Sequence, residues 1–180
     1  LCISEGSFPD KLKIAKVYPI YKDGDKTSYN NYRPISILNN ISKIFEKVIV
    51  NRLLSFINKH NLLNKSQFGF RKEHSTYMAL LKFFDIVSEA IDKKEFSLGI
   101  FIDLSKAFDT LDHTVLLKKL EFYGFRGNIN NLLRSYLTNR LQYVCFDNVC
   151  SNLLPVNCGV PQGSILGPLL FLFDPLSCRP

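Results

Sequence analysis

Apolar residues recur at helical spacing in two long segments of the chain. From Ile41 to Ile57 they occupy positions 41, 44, 45, 48, 49, 53 and 57, and Asn40 is placed to cap the start of this helix. A second helix is predicted from about Ser75 to Lys93, with a stripe made of Tyr77, Leu80, Leu81, Phe84, Val87 and Ile91. Stripes of this kind predict that both helices pack against a hydrophobic core.

Shorter elements alternate with turn signals. The pattern predicts an extended segment at 14–21 and a turn at 23–26. Two helices are predicted, one at 115–123 that Gly124 closes and one at 128–137 that Asn128 caps. A strand at 140–146 is expected to return as a hairpin from Val149, followed by a loop rich in glycine and proline at 155–167 and a helix at 169–173. Helices and strands are mixed, with too few strands for a complete sheet. We expect an α+β fold that is cut off within its sheet.

One apolar run ends abruptly on a carboxylate. Residues Ile100, Phe101 and Ile102 precede Asp103, and a run of this composition predicts a strand buried on both faces. An acid at the tip of such a strand is costly unless a cation lies there, and Mg²⁺ prefers oxygen ligands. The alternative is an aspartate that caps the following turn.

Charge is distributed unevenly along the chain. The net charge is +7, but residues 1–80 hold 13 Lys and Arg against 6 Asp and Glu, whereas residues 81–180 hold 10 of each. A basic half joined to a neutral half indicates a polyanion bound by the first part and processed by the second. A merely solvated basic face remains the other interpretation.

The five cysteines do not form a metal-binding pattern. They lack a Cys-x-x-Cys pair, although Cys145 and Cys150 flank a turn and could face each other. The odd number and the lack of a signal peptide predict reduced thiols in an intracellular protein, nuclear or cytoplasmic. The longest apolar stretch, 165–173, is too short to span a bilayer, so no membrane partner is expected. Because the chain begins with Leu1, we expect a piece of a longer protein.

Four motifs occur in a fixed order along the chain. They are NYRPIS at 31–36, QFGFR at 67–71, FIDLSKAFD at 101–109 and GVPQGS at 159–164. Together they resemble the reverse transcriptases of non-LTR (LINE-type) retrotransposons. The resemblance implies a right-hand polymerase with fingers at 1–96, a first palm segment at 97–113, a fingers return segment at 114–154 and a second palm segment at 155–180.

The resemblance assigns the central chemical role to Asp103. It is similar to the family's first catalytic aspartate, which binds two Mg²⁺ ions (Mn²⁺ is an alternative), and the carbonyl of Leu104 would add an oxygen ligand. Phe108 resembles the steric gate, a ring that occupies the space of a ribose 2′-hydroxyl; otherwise it is ordinary core. Asp109 and Asp112 are interpreted as turn, cap or surface acids.

Cations and amides in the other motifs are candidates for nucleotide and template contacts. Arg33 resembles the fingers arginine that binds triphosphate oxygens, and Lys22 or Lys26 could add a charge, although a solvated turn explains both lysines equally well. Gln67, Gly69 and Arg71 resemble the motif that lies near template and nucleotide, with Arg71 as a candidate phosphate contact. For Lys65 and Lys72 beside it, basic surface is the alternative. Gln162 and Gly163 resemble the motif over the nascent base pair; a tight turn before a helix is the alternative. His60, His74 and His113 are expected to be structural.

The family's aromatic-x-Asp-Asp hairpin is not found, and residues 174–180 depart from the family pattern. The resemblance implies an RNA-directed DNA polymerase that extends a DNA primer with dNTPs on an RNA template by two-metal phosphoryl transfer. With one carboxylate we expect this piece to be inactive alone. The alternative is a catalytically dead remnant that only binds nucleic acid.

Overall fold

A mixed sheet forms one side of the molecule. The computed structural model describes residues 2–147 and 149–173, so the divergent segment 174–180 lies outside the described residues. The strands are β1 (Ile14–Tyr21), β2 (Tyr32–Ile37), β3 (Arg140–Phe146), β4 (Val149–Cys150) and β5 (Leu154–Val156). Their order is β2-β1-β3-β4, with β5 also paired to β3; β1 and β3 are parallel and the other pairs antiparallel. The predicted strands at 14–21 and 140–146 and the hairpin from Val149 are confirmed.

Helices pack around a core beside this sheet. They are α1 (Cys2–Glu5), α2 (Asn40–Lys59), α3 (Thr76–Asp92), α4 (His113–Phe122), α5 (Asn128–Leu137) and α6 (Gly167–Phe171), with 3₁₀ turns at Asp10–Leu12 and Tyr29–Asn31. The core is built from α2, α4, α5 and the chain around α6, and its fully buried members include Ile49, Leu116, Leu133 and Leu166. The mixed helix and strand content agrees with the predicted α+β class.

Two helix caps were predicted one residue too late. The side chain of Asn39, not Asn40, accepts the backbone N–H of Ile41 at the start of α2. Asn128 is the first residue of α5 rather than its cap, and it donates to the carbonyl of Ser4. In α2 the predicted stripe is also too wide, because residues 41, 44 and 48 are exposed and only 49, 53 and 57 are buried.

The predicted core stripe of α3 is wrong. No residue of α3 is buried, and Tyr77 is 66% exposed. The amphipathic pattern is present, but no helix or strand among the described residues covers this apolar face. Burial requires an opposing apolar surface in addition to the pattern.

The strand predicted before Asp103 is also wrong. Residues 95–104 have no regular secondary structure, and Phe101 and Ile102 are 85% and 84% exposed. A strand buried on both faces needs neighbours that complete its hydrogen bonds. Within the part of the chain that the structure describes, no strand pairs with this segment.

The prediction of reduced thiols is wrong for one pair. Cys145 and Cys150 are directly opposite in the β3–β4 hairpin and form a disulfide, with their Cα atoms 4.2 Å apart. The short hairpin brings the two sulfurs together regardless of the compartment in which the chain resides. Cys2 and Cys158 are free. Among the described helices, none is long and apolar enough to cross a membrane.

Candidate nucleotide site

Two of the sequence motifs and the helix that follows a third meet through their aromatic rings. The ring of Phe108 lies 5.9 Å from that of Phe70, edge to face, and 4.9 Å from that of Phe171. Phe70 belongs to the QFGFR motif, Phe108 to the FIDLSKAFD motif, and Phe171 to the helix that follows GVPQGS. Aromatic contacts of this kind contribute about 0.5–1.5 kcal/mol each beyond area burial, so they hold the three segments together.

Hydrogen bonds join the loop after Asp103 to the bend at 159–164, which we call the PQG bend. The backbone N–H groups of Val160 and Gly159 donate to the carbonyls of Phe108 and Leu111, both at 2.8 Å. His113 Nε2 donates to the carbonyl of Gly159 at 2.7 Å. Side chains add a further link, because Gln162 Nε2 lies 3.0 and 3.1 Å from the two carboxylate oxygens of Asp109.

The PQG bend also packs directly on β2. The backbone N–H of Ser36 donates to the carbonyl of Gln162 at 2.7 Å. Gly163 has φ +124°, and a Cβ built there would lie 2.5 Å from the carbonyl oxygen of Ser36. Only glycine fits this combination of backbone conformation and close approach. The glycine at 163 is therefore required by its close contact with β2.

A buried carboxylate anchors the far side of the PQG bend. Glu46 of α2 is fully buried and accepts the backbone N–H groups of Ile165 and Leu166 at 2.7 and 3.1 Å. Ser42, one turn earlier, donates to the same carboxylate at 3.2 Å. Burial, followed by the nearby Glu46 charge, raises the pKa of the Tyr136 hydroxyl, so this phenol stays neutral. These contacts fix the start of α6 on α2.

The strands and the PQG bend line an open cavity of about 330 Å³. Its wall includes Pro34 and Ser36 of β2, the side chains of Asp109 and Gln162, and Arg140 of β3. Side chains alternate between the two faces of a strand, so Arg33 lies on the sheet face opposite Pro34 and Ser36.

Asp103 stands apart from these contacts. Its side chain is exposed, and within residues 2–147 and 149–173 it makes no hydrogen bond or ion pair; Leu104 is 38% exposed. No group of three or more His, Cys, Asp or Glu among the described residues could hold a metal ion. One exposed carboxylate does not make a two-ion site, so the described residues do not by themselves fit the Mg²⁺ pair.

The predicted cations lie on or beside the β1–β2 hairpin. Arg33 is exposed in β2 and has no ion pair among the described residues. Lys22 lies 4.0 Å from the Asp23 carboxylate, with both side chains more than half exposed, which is a weak pair. Lys26 lies 5.5 Å above the ring of Tyr21. The geometry does not choose between the two lysines.

The QFGFR segment is held by contacts within its own loop. Arg71 Nη1 donates to the carbonyls of Asn64 and Gln67 at 3.0 and 3.3 Å, and Gln67 Nε2 donates to the carbonyl of Gly69 at 3.1 Å. A Cβ at Gly69 would meet nothing closer than 3.6 Å. The described residues therefore leave space beside Gly69.

Sequence reasoning missed two acids of this site. Asp109 lies in a turn, as one of its interpretations predicts, but its partly buried carboxylate is also bound to Gln162. Glu46 is a second acid, which the motifs do not single out. The signal for Glu46 was available, since an acid at the apolar spacing of α2 needs a buried partner. Asp112 is a cap, as expected: it accepts the N–H groups of Val115 and Thr114, which lower its pKa.

Comparisons with known proteins agree with the motifs. The family model described as reverse transcriptase (RNA-dependent DNA polymerase) matches residues 20–173. The chain is 38% identical over 167 residues to the RNA-directed DNA polymerase from mobile element jockey of Drosophila melanogaster, and 38% identical over 165 residues to a probable RNA-directed DNA polymerase from transposon BS of the same organism. A third relative in Drosophila melanogaster, a probable RNA-directed DNA polymerase from transposon X-element, is 37% identical over 165 residues. These matches cover 91–92% of this chain but 18% of each relative.

Proposed function

The chain belongs to the reverse transcriptase family, as the resemblance to non-LTR retrotransposon enzymes predicted, and from this premise we propose that it forms the fingers and part of the palm of an RNA-directed DNA polymerase. The fingers are residues 1–96 and 114–154, and the palm segments are 97–113 and 155–180. The polymerase adds dNTPs to the 3′-end of a DNA primer on an RNA template.

The observation that carries this proposal is the convergence of the motif segments. Phe70, Phe108 and Phe171 contact one another, and Gln162 bonds to Asp109 on the loop that follows Asp103. Segments that are 38 or more residues apart in sequence are thus brought together.

Individual side chains have separable roles in this proposal. Gln162 and Gly163 contact the nucleotide over the nascent base pair, and Phe108 excludes the ribose 2′-hydroxyl. Arg33, with Lys22 or Lys26, binds triphosphate oxygens, because an exposed guanidinium that has no ion pair among the described residues is available to a polyanion. Gln67, Gly69 and Arg71 lie along the template; Arg71 keeps Nη2 and Nε after its two bonds to carbonyls.

Asp103 and the Leu104 carbonyl supply part of a ligand set for Mg²⁺, or Mn²⁺ as an alternative. Divalent ions would neutralise the charge of a triphosphate and orient the attacking oxygen. The remaining ligands come from acids that the described residues do not include. For this reason we propose that the 180-residue piece alone does not polymerise.

A second candidate function is nucleic-acid binding without catalysis. The observation that favours it is the exposed Asp103, which has no partner in the described part of the chain, together with the basic charge of residues 1–80. Binding of this kind depends on phosphate contacts and weakens steeply with salt.

Primer extension separates the two functions. The test protein, which we call the jockey chimera, is the jockey polymerase with its matching stretch replaced by this chain. Our proposal predicts incorporation of dTTP on poly(rA) primed with oligo(dT) when Mg²⁺ is present, and none with EDTA. Salt-sensitive binding of the primed template without incorporation would support the second function and contradict the first. The 180-residue chain, assayed in parallel, is expected to bind without extending.

A further inference from the structure

The link between Asp109 and Gln162 connects two segments that are far apart in sequence. Both carboxylate oxygens of Asp109 lie within 3.1 Å of Gln162 Nε2, and both side chains are partly buried at the wall of the same cavity. The backbone fixes both ends of this contact. Val160 donates to the carbonyl of Phe108, and Ser36 donates to the carbonyl of Gln162.

The chemistry of the pair determines which way the amide faces. An ionised carboxylate has only acceptors, so the NH₂ group of Gln162, and not its carbonyl oxygen, must face Asp109. Both oxygens of Asp109 lie within reach of one N–H of this amide, so one N–H is committed to the contact. The carbonyl oxygen Oε1, which cannot face the carboxylate, remains for a ligand together with the second N–H. An amide without such a partner would interconvert between its two orientations.

We propose that Asp109 is a positioning residue that holds the Gln162 amide in one orientation, so that Oε1 accepts a hydrogen bond from a hydroxyl or amino group of the incoming nucleotide. This proposal rests on the proposed function only in that Gln162 contacts a nucleotide. Asp109 itself touches neither the nucleotide nor the reacting atoms. Its effect passes through Gln162.

The first test reads the amide directly in the 180-residue chain. The sequence has only three glutamines, Gln67, Gln142 and Gln162, so their side-chain NH₂ resonances can be assigned in a ¹⁵N-labelled sample. The Gln162 protons are expected to be shifted downfield and protected from exchange relative to those of Gln142. In Asp109→Leu they should return to the positions of a solvated amide. Unchanged Gln162 resonances in Asp109→Leu would overturn the proposal.

The second test measures the consequence for the nucleotide in the jockey chimera. Losing a hydrogen bond to a charged group that orients the amide should raise the KM for dNTP about tenfold or more with a smaller change in kcat. Asp109→Asn, whose oxygen can still accept one N–H, should lie between wild type and Asp109→Leu. Gln162→Glu keeps an oxygen acceptor at this position but loses the N–H donors, so its KM for dNTP should rise as in Asp109→Leu. This variant provides the test if the leucine variant does not fold.

A double-mutant cycle excludes a merely structural role. If Asp109 acts through Gln162, then Asp109→Leu adds little to the KM of Gln162→Ala, whereas independent roles would give additive losses. Asp112→Asn is the matched control, because it removes a carboxylate from the same loop and asparagine caps a helix as well as aspartate does. It should leave the KM unchanged. Additive losses, or an equal rise in KM in Asp112→Asn, would contradict the proposal.

The two tests fail in distinguishable ways. A wild-type chimera that incorporates dNTPs but is indifferent to Asp109→Leu contradicts the positioning role and leaves the polymerase function standing. An inactive wild-type chimera contradicts the proposed function, and the NMR comparison then decides whether Asp109 fixes the Gln162 amide.

Discussion

Glu46 gives the sharpest prediction about what holds the PQG bend in place. Replacing Glu46 with alanine removes the acceptor of three hydrogen bonds, from Ser42 Oγ and the backbone N–H groups of Ile165 and Leu166. A buried donor left without a partner costs about 1–3 kcal/mol. Ile165 is 37% exposed, so water can replace part of its bond. The expected loss is therefore about 2–4 kcal/mol, a large share of the total stability of a typical domain.

Urea unfolding followed by far-UV circular dichroism measures this loss, since the chain has no tryptophan. With a slope of about 2 kcal/mol per molar urea, Glu46→Ala should lower the midpoint by about 1–2 M. Glu46→Gln keeps one oxygen acceptor, so its urea midpoint should lie between those of wild type and Glu46→Ala. The matched control Glu121→Ala, an exposed acid of α4, should change stability by about 0.5 kcal/mol or less. Equal midpoints for Glu46→Ala and Glu121→Ala would refute the anchoring role of Glu46.

Other predictions follow from the same structure. Gly163→Ala should cost about 1–3 kcal/mol of unfolding free energy because of its positive φ and the nearby β2 carbonyl, whereas Gly69→Ala should be close to neutral in the same titration. The pKa of Asp112 is lowered below 3.8, so its helix cap stabilises the fold above that pH and the stabilisation is lost as the pH falls through the lowered value. The free energy of unfolding of Asp112→Asn should therefore decline less between pH 5 and pH 2 than that of wild type. Equal declines in the two proteins would contradict this. Mass spectrometry should find Cys145 and Cys150 unmodified by an alkylating reagent unless the disulfide is first reduced. Reduction should lower the free energy of unfolding by about 2 kcal/mol.

The motifs and local periodicities were readable from the sequence because they depend on residues close together in the chain. The strand at Arg140–Phe146 and the helix ended by Gly124 follow from alternation and from a residue suited to positive φ. The family was readable for a related reason, since each of its four motifs is a short contiguous run.

Burial could not be read in the same way. The stripe of α3 and the run ending at Ile102 have the composition of core segments, yet both are exposed among the described residues. A pattern states which face of an element is apolar but not whether another element covers it. The same limit hid the role of Asp109, because its partner Gln162 lies 53 residues further along the chain.

The measurement that tests the central claim most directly is the rate of single dTMP addition by the jockey chimera with Asp103→Ala. The matched control is Asp85→Ala, which removes an exposed acid of α3 that makes no hydrogen bond or ion pair among the described residues. We predict that Asp103→Ala slows addition about a hundredfold or more while Asp85→Ala stays close to wild type. Addition by the Asp103→Ala chimera at the wild-type rate would contradict the assignment of this chain as the part of a polymerase that carries a catalytic carboxylate.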